Sequence, residues 1–262
     1  MDHLGHALRG AVQAPSAAAA ASWQHAVVIG AGGTLGSAVL AEALVAGRFA
    51  AVRALAAGPW PSTLRGLKPL TAEALAQPGA WEADLGFIIF ERGRHANGRD
   101  QAFVLPEPGE LLVLARHLRE GGVKRLVVVL PHAPALLPSA LKAGLASLDE
   151  VAVAALGFEH LVFVRAAQGL PAPRAASWLQ RGADLWLAQL RWMIPQHQQP
   201  VRAAVLAMRV VALARALPTL PQGTRVLPPE LLWAAAQTAS SYQENADADK
   251  RLAAWWRGGP PV

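Results

Sequence analysis

The chain contains no cysteine and only one tyrosine, Tyr242. The absence of cysteine excludes disulfide bonds, thiolate metal ligands and a cysteine nucleophile, and it is compatible with a reducing compartment. The eight histidines do not have the spacing typical of metal ligands, so we expect no metal site. Ser139 and Ser147 do not stand at a strand-to-helix elbow, and the sequence therefore indicates no hydrolase triad.

The sequence also lacks a long uncharged hydrophobic run. The most apolar span, Val201–Leu217, is interrupted by three arginines at positions 202, 209 and 215. Because cations are costly in hydrocarbon, this span is predicted to be a packed helix of a cytoplasmic protein that has no membrane partner. Residues 1–22 have no leucine-rich core of a signal peptide, and we interpret them as a flexible N-terminal tail.

Charged residues are sparse, at 16%, whereas hydrophobic residues make up 53%. This balance allows a substantial core and argues against global disorder. The net charge of +6 is scattered along the chain, and no basic run is interleaved with aromatic residues. We therefore expect no nucleic-acid partner.

The most informative segment that is present is His25–Gly36, which reads HAVVIGAGGTLG. An apolar run ends in glycines at positions 30, 33 and 36, and a helix-like run follows at once. This order of strand, glycine turn and helix is typical of a dinucleotide phosphate loop, in which glycine permits the turn and the close approach of a pyrophosphate. The alternative is a glycine-rich turn that binds nothing.

Apolar runs and helical patterns alternate along the chain, which predicts an α/β fold with a doubly wound, Rossmann-type parallel sheet. Seven strands are expected, at Ala26–Ile29, Ala50–Leu55, Leu67–Leu70, Leu85–Phe90, Arg125–Leu130, His160–Val164 and Thr224–Leu227. Helices are expected at Leu35–Ala46, Ala72–Ala76, Pro108–Glu120, Ala140–Leu156, Ala176–Met193, Val201–Leu217 and Pro229–Gln237. A single domain would span residues 23–240, with a small helical, substrate-side extension at 170–240, and residues 241–262 would form a tail.

Four features together resemble the atypical short-chain dehydrogenases/reductases, in the branch of NmrA-like proteins. They are the glycine loop, Asp84 before the fourth strand, HLREGGVKRLVVVL at His117–Leu130 and AALGFEHLVFVRAAQG at Ala154–Gly169. In the last of these, Ala166 stands where the family usually has proline. The resemblance implies a nicotinamide dinucleotide as cofactor.

The resemblance also implies which residues lie along the cofactor. The loop positions are Gly30, Gly33, Thr34, Leu35 and Gly36, and the turns after strands four, five and six add Phe90, Glu91, Arg92, Leu130, Pro131, His132 and Arg165 to Ala167. Glu91 and Arg92 could equally form a surface ion pair. Arg53 in strand two and Arg65 after it favour NADP over NAD, because no acidic residue lies between Glu42 and Glu73; a solvated arginine is the alternative.

The family's catalytic Tyr-x-x-x-Lys is absent, because the residue four after Tyr242 is Ala246 and no lysine follows a tyrosine at this spacing. His132 and Lys142 are candidate catalytic substitutes, with a loop histidine and a solvated lysine as the alternatives. Two hypotheses remain: a weak or unconventional oxidoreductase, and a non-catalytic NAD(P)-sensing regulator or scaffold. Trp255 and Trp256 would be an exposed patch unless they dock on the body or on a second subunit of a homodimer.

Overall fold

The computed structural model describes residues 25–45, 49–59, 65–71, 73, 83–91, 100–132, 149–167, 201–237 and 242–258. The expected helices at Ala72–Ala76 and Ala176–Met193, and most of the one at Ala140–Leu156, lie outside these ranges. So do the N-terminal tail and the candidate site residues Arg92 and Lys142.

The described residues form a seven-stranded sheet in the order β3-β2-β1-β4-β5-β6-β7. All six strand pairs are parallel. The strands are β1 (His25–Ile29), β2 (Ala51–Ala56), β3 (Leu67–Thr71), β4 (Leu85–Ile89), β5 (Arg125–His132), β6 (His160–Ala167) and β7 (Gly223–Leu227). This architecture confirms the predicted α/β, Rossmann-type doubly wound sheet.

Both faces of the sheet are buried, which explains why the strands are apolar throughout rather than alternating. Successive side chains of β1 point to opposite faces. Ala26 and Val28 belong to one core, with the helices that follow β1 and precede β7. Val27 and Ile29 belong to the other, with the helix between β4 and β5.

Five helices have defined bounds in the described ranges, and residues 149–154 are also helical. The helices are α1 (Thr34–Ala43), α2 (Leu111–Glu120), α3 (Ala203–Ala216), α4 (Pro229–Gln237) and α5 (Tyr242–Trp256). A 3-10 turn, Pro108–Glu110, leads into α2. Helices α1 and α3 pack together on the first face of the sheet. None of the described helices is long and apolar enough to cross a membrane.

The expected end of the fifth strand, at Leu130, is wrong. Strand β5 continues to His132, and Pro131 pairs with Ala166 of β6. The Phe90 N–H donates to the Val129 carbonyl at 3.0 Å, so the backbone N–H and C=O groups of Val129 point toward β4. Along a strand these groups point to the two neighbouring strands alternately, so those of Pro131 also point toward β4. Strand β4 ends at Ile89, so no residue of β4 lies opposite Pro131. The missing N–H of proline therefore costs the sheet no hydrogen bond.

Within residues 241–262, which the sequence assigns to a tail, Tyr242–Trp256 is a helix packed on the body. Trp256 is 1% exposed, and its indole N–H donates to the Pro221 carbonyl at 2.7 Å. Its ring lies 5.8 Å from that of His160. Trp256 therefore docks on its own chain, which is one of the two alternatives that the sequence left open.

Helix α5 is also held by Arg209 of α3, which is only 1% exposed. Its guanidinium donates to the carbonyl oxygens of Ala235 in α4 and Asn245 in α5, at 3.0 and 3.1 Å. It also bonds the Asn245 side chain at 2.8 Å and the Asp249 carboxylate at 3.2 Å. One buried cation thus connects three helices, with partners for its charge and its donors.

Candidate functional site

The site is built at the carboxyl edge of the sheet, between β1 and β4. The strand order continues from β1 to β2 and β3 in one direction and from β4 to β7 in the other. In doubly wound folds the ligand-binding crevice lies at such a change of direction. Ile29 pairs with Ile88, so the loop after β1 and the residues after β4 begin side by side.

The loop after β1 depends on glycine for two separate reasons. Gly30 has a φ of +88°, a left-handed conformation that a side chain disfavours, and an added Cβ would collide with the Ile89 carbonyl oxygen. Gly36 has no room for a side chain either, because its Cβ would collide with the Gly30 carbonyl oxygen. The backbone of α1 at Gly36 thus lies directly against the turn, too close for any side chain between them.

Gly33 stands at the N-cap of α1, in an extended conformation with φ −88° and ψ 171°. It makes no side-chain cap. An added Cβ would meet a different group here from the backbone oxygens met at Gly30 and Gly36. A Cβ there would collide with the carboxylate of Glu91, a side chain, and not with backbone. Space for an acidic group thus lies directly beside Gly33.

Glu91 fills this space with two charge-assisted hydrogen bonds. Its Oε1 accepts the N–H of Leu35 at 2.8 Å, and its Oε2 accepts the N–H of Gly36 at 3.2 Å. Both donors belong to the first turn of α1, where N–H groups have no partner inside the helix and the helix dipole favours negative charge. The glycine loop is therefore an anion site, and in this structure the anion is a carboxylate of the same chain.

This contact gives Glu91 a third role, beside the cofactor contact and the surface ion pair named in the sequence analysis. The bonded residues lie 56 and 55 positions apart, beyond the reach of any local pattern. A signal was nevertheless present, because Glu91 is an acidic residue just after the strand that neighbours β1. Only the pairing of β1 with β4 brings that position next to the N-terminus of α1.

A second segment of the chain lies at the carboxyl end of β2. The N–H of Val104 donates to the Leu55 carbonyl at 3.0 Å, and the N–H of Ala57 donates to the Ala102 carbonyl at 2.8 Å. Phe103 forms an antiparallel bridge with Ala56 between them. The backbone groups that β2 presents at this edge are thus already satisfied by the chain itself.

The other predicted loop residues take structural positions in α1. Thr34 is its first residue and is exposed, and its carbonyl accepts the Ser37 hydroxyl at 3.2 Å. The side chain of Leu35 is buried in the first core. Phe90, which was expected beside a cofactor, is 1% exposed and packs in the second core.

The residues predicted for the turns after strands five and six lie within the strands. Leu130 pairs with Arg165, and His132 pairs with Ala167 as the last residue of β5. The Arg165 guanidinium binds both carboxylate oxygens of Glu150, at 3.0 and 3.1 Å. The backbone of His132 thus lies at the carboxyl edge, and Arg165 is already engaged by an acidic partner.

Arg53 and Arg65, which favoured NADP in the sequence, are not at the carboxyl end of β2. Arg53 is the third residue of this strand and pairs with Val27 and Lys68. It stands three residues, or about 10 Å, before the end of β2. Arg65 is exposed just before β3, at the opposite edge. Their positions do not support a choice between the two cofactors.

Asp84, part of the predicted resemblance, also lies at the opposite edge. Its carboxylate accepts the N–H of His25 at 3.0 Å, and its own N–H donates to the His25 carbonyl at 3.0 Å. It therefore fixes the amino ends of β1 and β4. Within the described ranges, no three histidine, aspartate or glutamate side chains cluster as metal ligands would.

No protein-family model matches the chain, and no curated protein matches it in sequence. Its structure is similar to that of the Bordetella bronchiseptica enzyme WbmH in complex with NAD+, at 15% identity over 84% of this chain and 83% of that one, with a TM-score of 0.44. It is similar to WbmG of the same organism in complex with NAD and UDP, at 14% identity over 92% and 80%, with a TM-score of 0.44. A third likeness is Citrobacter sp. triphenylmethane reductase complexed with NADP(H), at 15% identity over 91% of both chains, with a TM-score of 0.40. The Rossmann-type architecture itself is established by the sheet order and register of this chain.

Proposed function

We propose that this protein binds a nicotinamide dinucleotide at the carboxyl edge of β1 and β4, with its pyrophosphate at the N-terminus of α1. The observation that carries the proposal is the pair of backbone N–H groups, of Leu35 and Gly36, that already hold an anion beside a glycine without a side chain. Phosphate oxygens require the same donors and the same close approach. The donor set therefore suits the cofactor, once the Glu91 carboxylate has left the position.

The residues that would hold the cofactor are those of the turn from Gly30 to Gly36. Gly30 and Gly36 fix the turn against the helix, and Gly33 leaves room for the phosphate. The nicotinamide end would lie toward the carboxyl ends of β5 and β6, where β5 ends at His132. A bound nicotinamide dinucleotide supplies hydride transfer.

Thermal unfolding with NAD+, NADH, NADP+ and NADPH tests this proposal. A ligand at about one hundred times its dissociation constant stabilises the folded state by about 2.7 kcal/mol. For a domain of this size, the midpoint rises by roughly 5–10 °C. A rise with one pair of nucleotides supports the site and identifies the cofactor, whereas no rise with any of the four contradicts it.

For its activity, we propose unconventional oxidoreductase chemistry that does not use Tyr-x-x-x-Lys. This motif is absent from the sequence, so His132 and Lys142 are the candidates for proton transfer and for binding the ribose or a carbonyl. The variants His132→Ala and Lys142→Ala should lose turnover of a carbonyl or alcohol panel, followed by nicotinamide absorbance. Neither residue belongs to the glycine loop, so His132→Ala should keep the thermal shift, and Lys142→Ala should keep it at saturating nucleotide even where loss of a ribose contact weakens the affinity.

A second candidate function, a non-catalytic sensor of NAD(P), is favoured by the same absence. Without the tyrosine and lysine pair, the chain can hold a cofactor and yet have no conventional route for the proton. In that case a nucleotide raises the unfolding midpoint, while no substrate in the panel changes the nicotinamide absorbance. Turnover that depends on His132 would contradict the sensor function.

A further inference from the structure

The Glu91 carboxylate lies where the proposed function places a phosphate group. Its two oxygens use the N–H groups of Leu35 and Gly36, and they lie against the position that a Cβ of Gly33 would take. Each of these N–H groups can donate one strong hydrogen bond. A phosphate and the carboxylate therefore cannot both be bound there, and their like charges would repel each other at this distance.

We propose that Glu91 is an intramolecular competitor of the dinucleotide: its carboxylate caps α1 in the free protein and leaves this position when the cofactor binds. The inference rests on the proposed function and adds its regulation. The apparent affinity for the dinucleotide is then the intrinsic affinity multiplied by the fraction of molecules in which the carboxylate is not bound to the helix.

The backbone around Glu91 shows that a change of side-chain rotamer is sufficient for release. Ile88 pairs with Ile29 of β1, and the N–H of Phe90 donates to the Val129 carbonyl of β5. The chain is thus fixed in the sheet up to the residue before Glu91. The side chain of Glu91 is bonded to α1 only through its carboxylate in the contacts described, so rotation about its own bonds frees both N–H groups without breaking the sheet.

The test is a comparison of wild type with Glu91→Ala and Glu91→Gln. Alanine removes both acceptors, and glutamine keeps the shape but loses the charge and one acceptor. The matched control is Glu159→Ala, which removes the same charge at the opposite edge of the sheet, where Glu159 lies 3.9 Å from Arg125. The readouts are the dissociation constant of each nucleotide, by calorimetric titration, and hydrogen exchange of the Leu35 and Gly36 amides in the nucleotide-free protein.

We expect Glu91→Ala to bind the cofactor roughly two- to thirtyfold more tightly than wild type, the range that corresponds to loss of an N-cap. Glu91→Gln should change in the same direction, and Glu159→Ala should bind like wild type. Without nucleotide, the amides of Leu35 and Gly36 should exchange faster in Glu91→Ala, because they have lost their acceptor.

Two results would overturn this inference in distinguishable ways. If wild type binds and the Glu91 variants bind equally or more weakly, the carboxylate does not compete, and the proposed function stands without it. If wild type and both Glu91 variants all fail to bind any of the four nucleotides, the proposed function itself fails.

Discussion

The substitution Gly33→Ala tests the geometry of the anion site most sharply, because the methyl group would occupy the space that the Glu91 carboxylate fills. The backbone conformation of Gly33, φ −88° and ψ 171°, is accessible to alanine without strain. The carboxylate must therefore leave, with a loss of about 0.5–2 kcal/mol of capping stabilisation. The reduced entropy of the unfolded chain offsets about 0.4–1 kcal/mol of that loss.

The net change in the free energy of unfolding should therefore lie between a destabilisation of about 1.6 kcal/mol and a stabilisation of about 0.5 kcal/mol. In a Glu91→Ala background the obstruction is gone, so the same Gly33→Ala substitution should be more favourable than in wild type by the lost capping contribution, about 0.5–2 kcal/mol. Urea unfolding of wild type, the two single variants and the double variant measures this coupling. Gly33→Ala should also lose dinucleotide binding, since its methyl group fills the space that Glu91→Ala leaves open.

Either of two results would refute this reasoning. Additive free energies in the four proteins would mean that Gly33 and Glu91 do not share one space. Dinucleotide affinity equal to that of wild type in Gly33→Ala would mean that no phosphate approaches this glycine.

Three further outcomes are expected for the parts of the fold that support the site. Gly30→Ala should destabilise the protein by at least about 2 kcal/mol in urea unfolding, because a positive φ and a backbone carbonyl both oppose the methyl group; a neutral effect would contradict the described turn. Arg209→Met should lower the free energy of unfolding by about 3–5 kcal/mol, since buried acceptors in two helices lose their donor. Asp249→Asn, at a side chain 44% exposed, should lower it by less than about 1 kcal/mol in the same urea unfolding. Trp256→Ala should lower the free energy of unfolding by about 3–5 kcal/mol, which corresponds to a fall in the thermal unfolding midpoint of roughly 6–20 °C. A much smaller fall would mean that α5 is not docked.

Much of the sheet was predictable because its strands are short apolar runs buried on both faces. The runs at Ala26–Ile29 and Arg125–Leu130 lie within β1 and β5, and the predicted helix Pro229–Gln237 has the bounds that the structure shows. The ends of the strands were less predictable, as Pro131 demonstrates. Whether proline is tolerated depends on which neighbouring strand its missing N–H faces, and this is a property of the sheet rather than of the local sequence.

The last helix shows a signal that the sequence contained and the interpretation missed. This segment was assigned to a tail in the sequence analysis, yet the residues that it buries stand at a constant spacing of four: Ala248, Leu252 and Trp256. Such spacing is typical of one apolar helix face. Within the candidate site, the glycines were predictable from local order, whereas the cap by Glu91 was not, because it joins residues brought together only by the pairing of β1 with β4.

The most direct test of the central claim is an NMR titration that follows the amide resonances of Leu35 and Gly36 as each nicotinamide dinucleotide is added. If the pyrophosphate binds at the N-terminus of α1, these two amides should shift with saturation while those at the amino edge, such as His25 and Asp84, stay in place. Saturable binding that leaves Leu35 and Gly36 unchanged, or no binding by wild type and Glu91→Ala alike, would contradict the account.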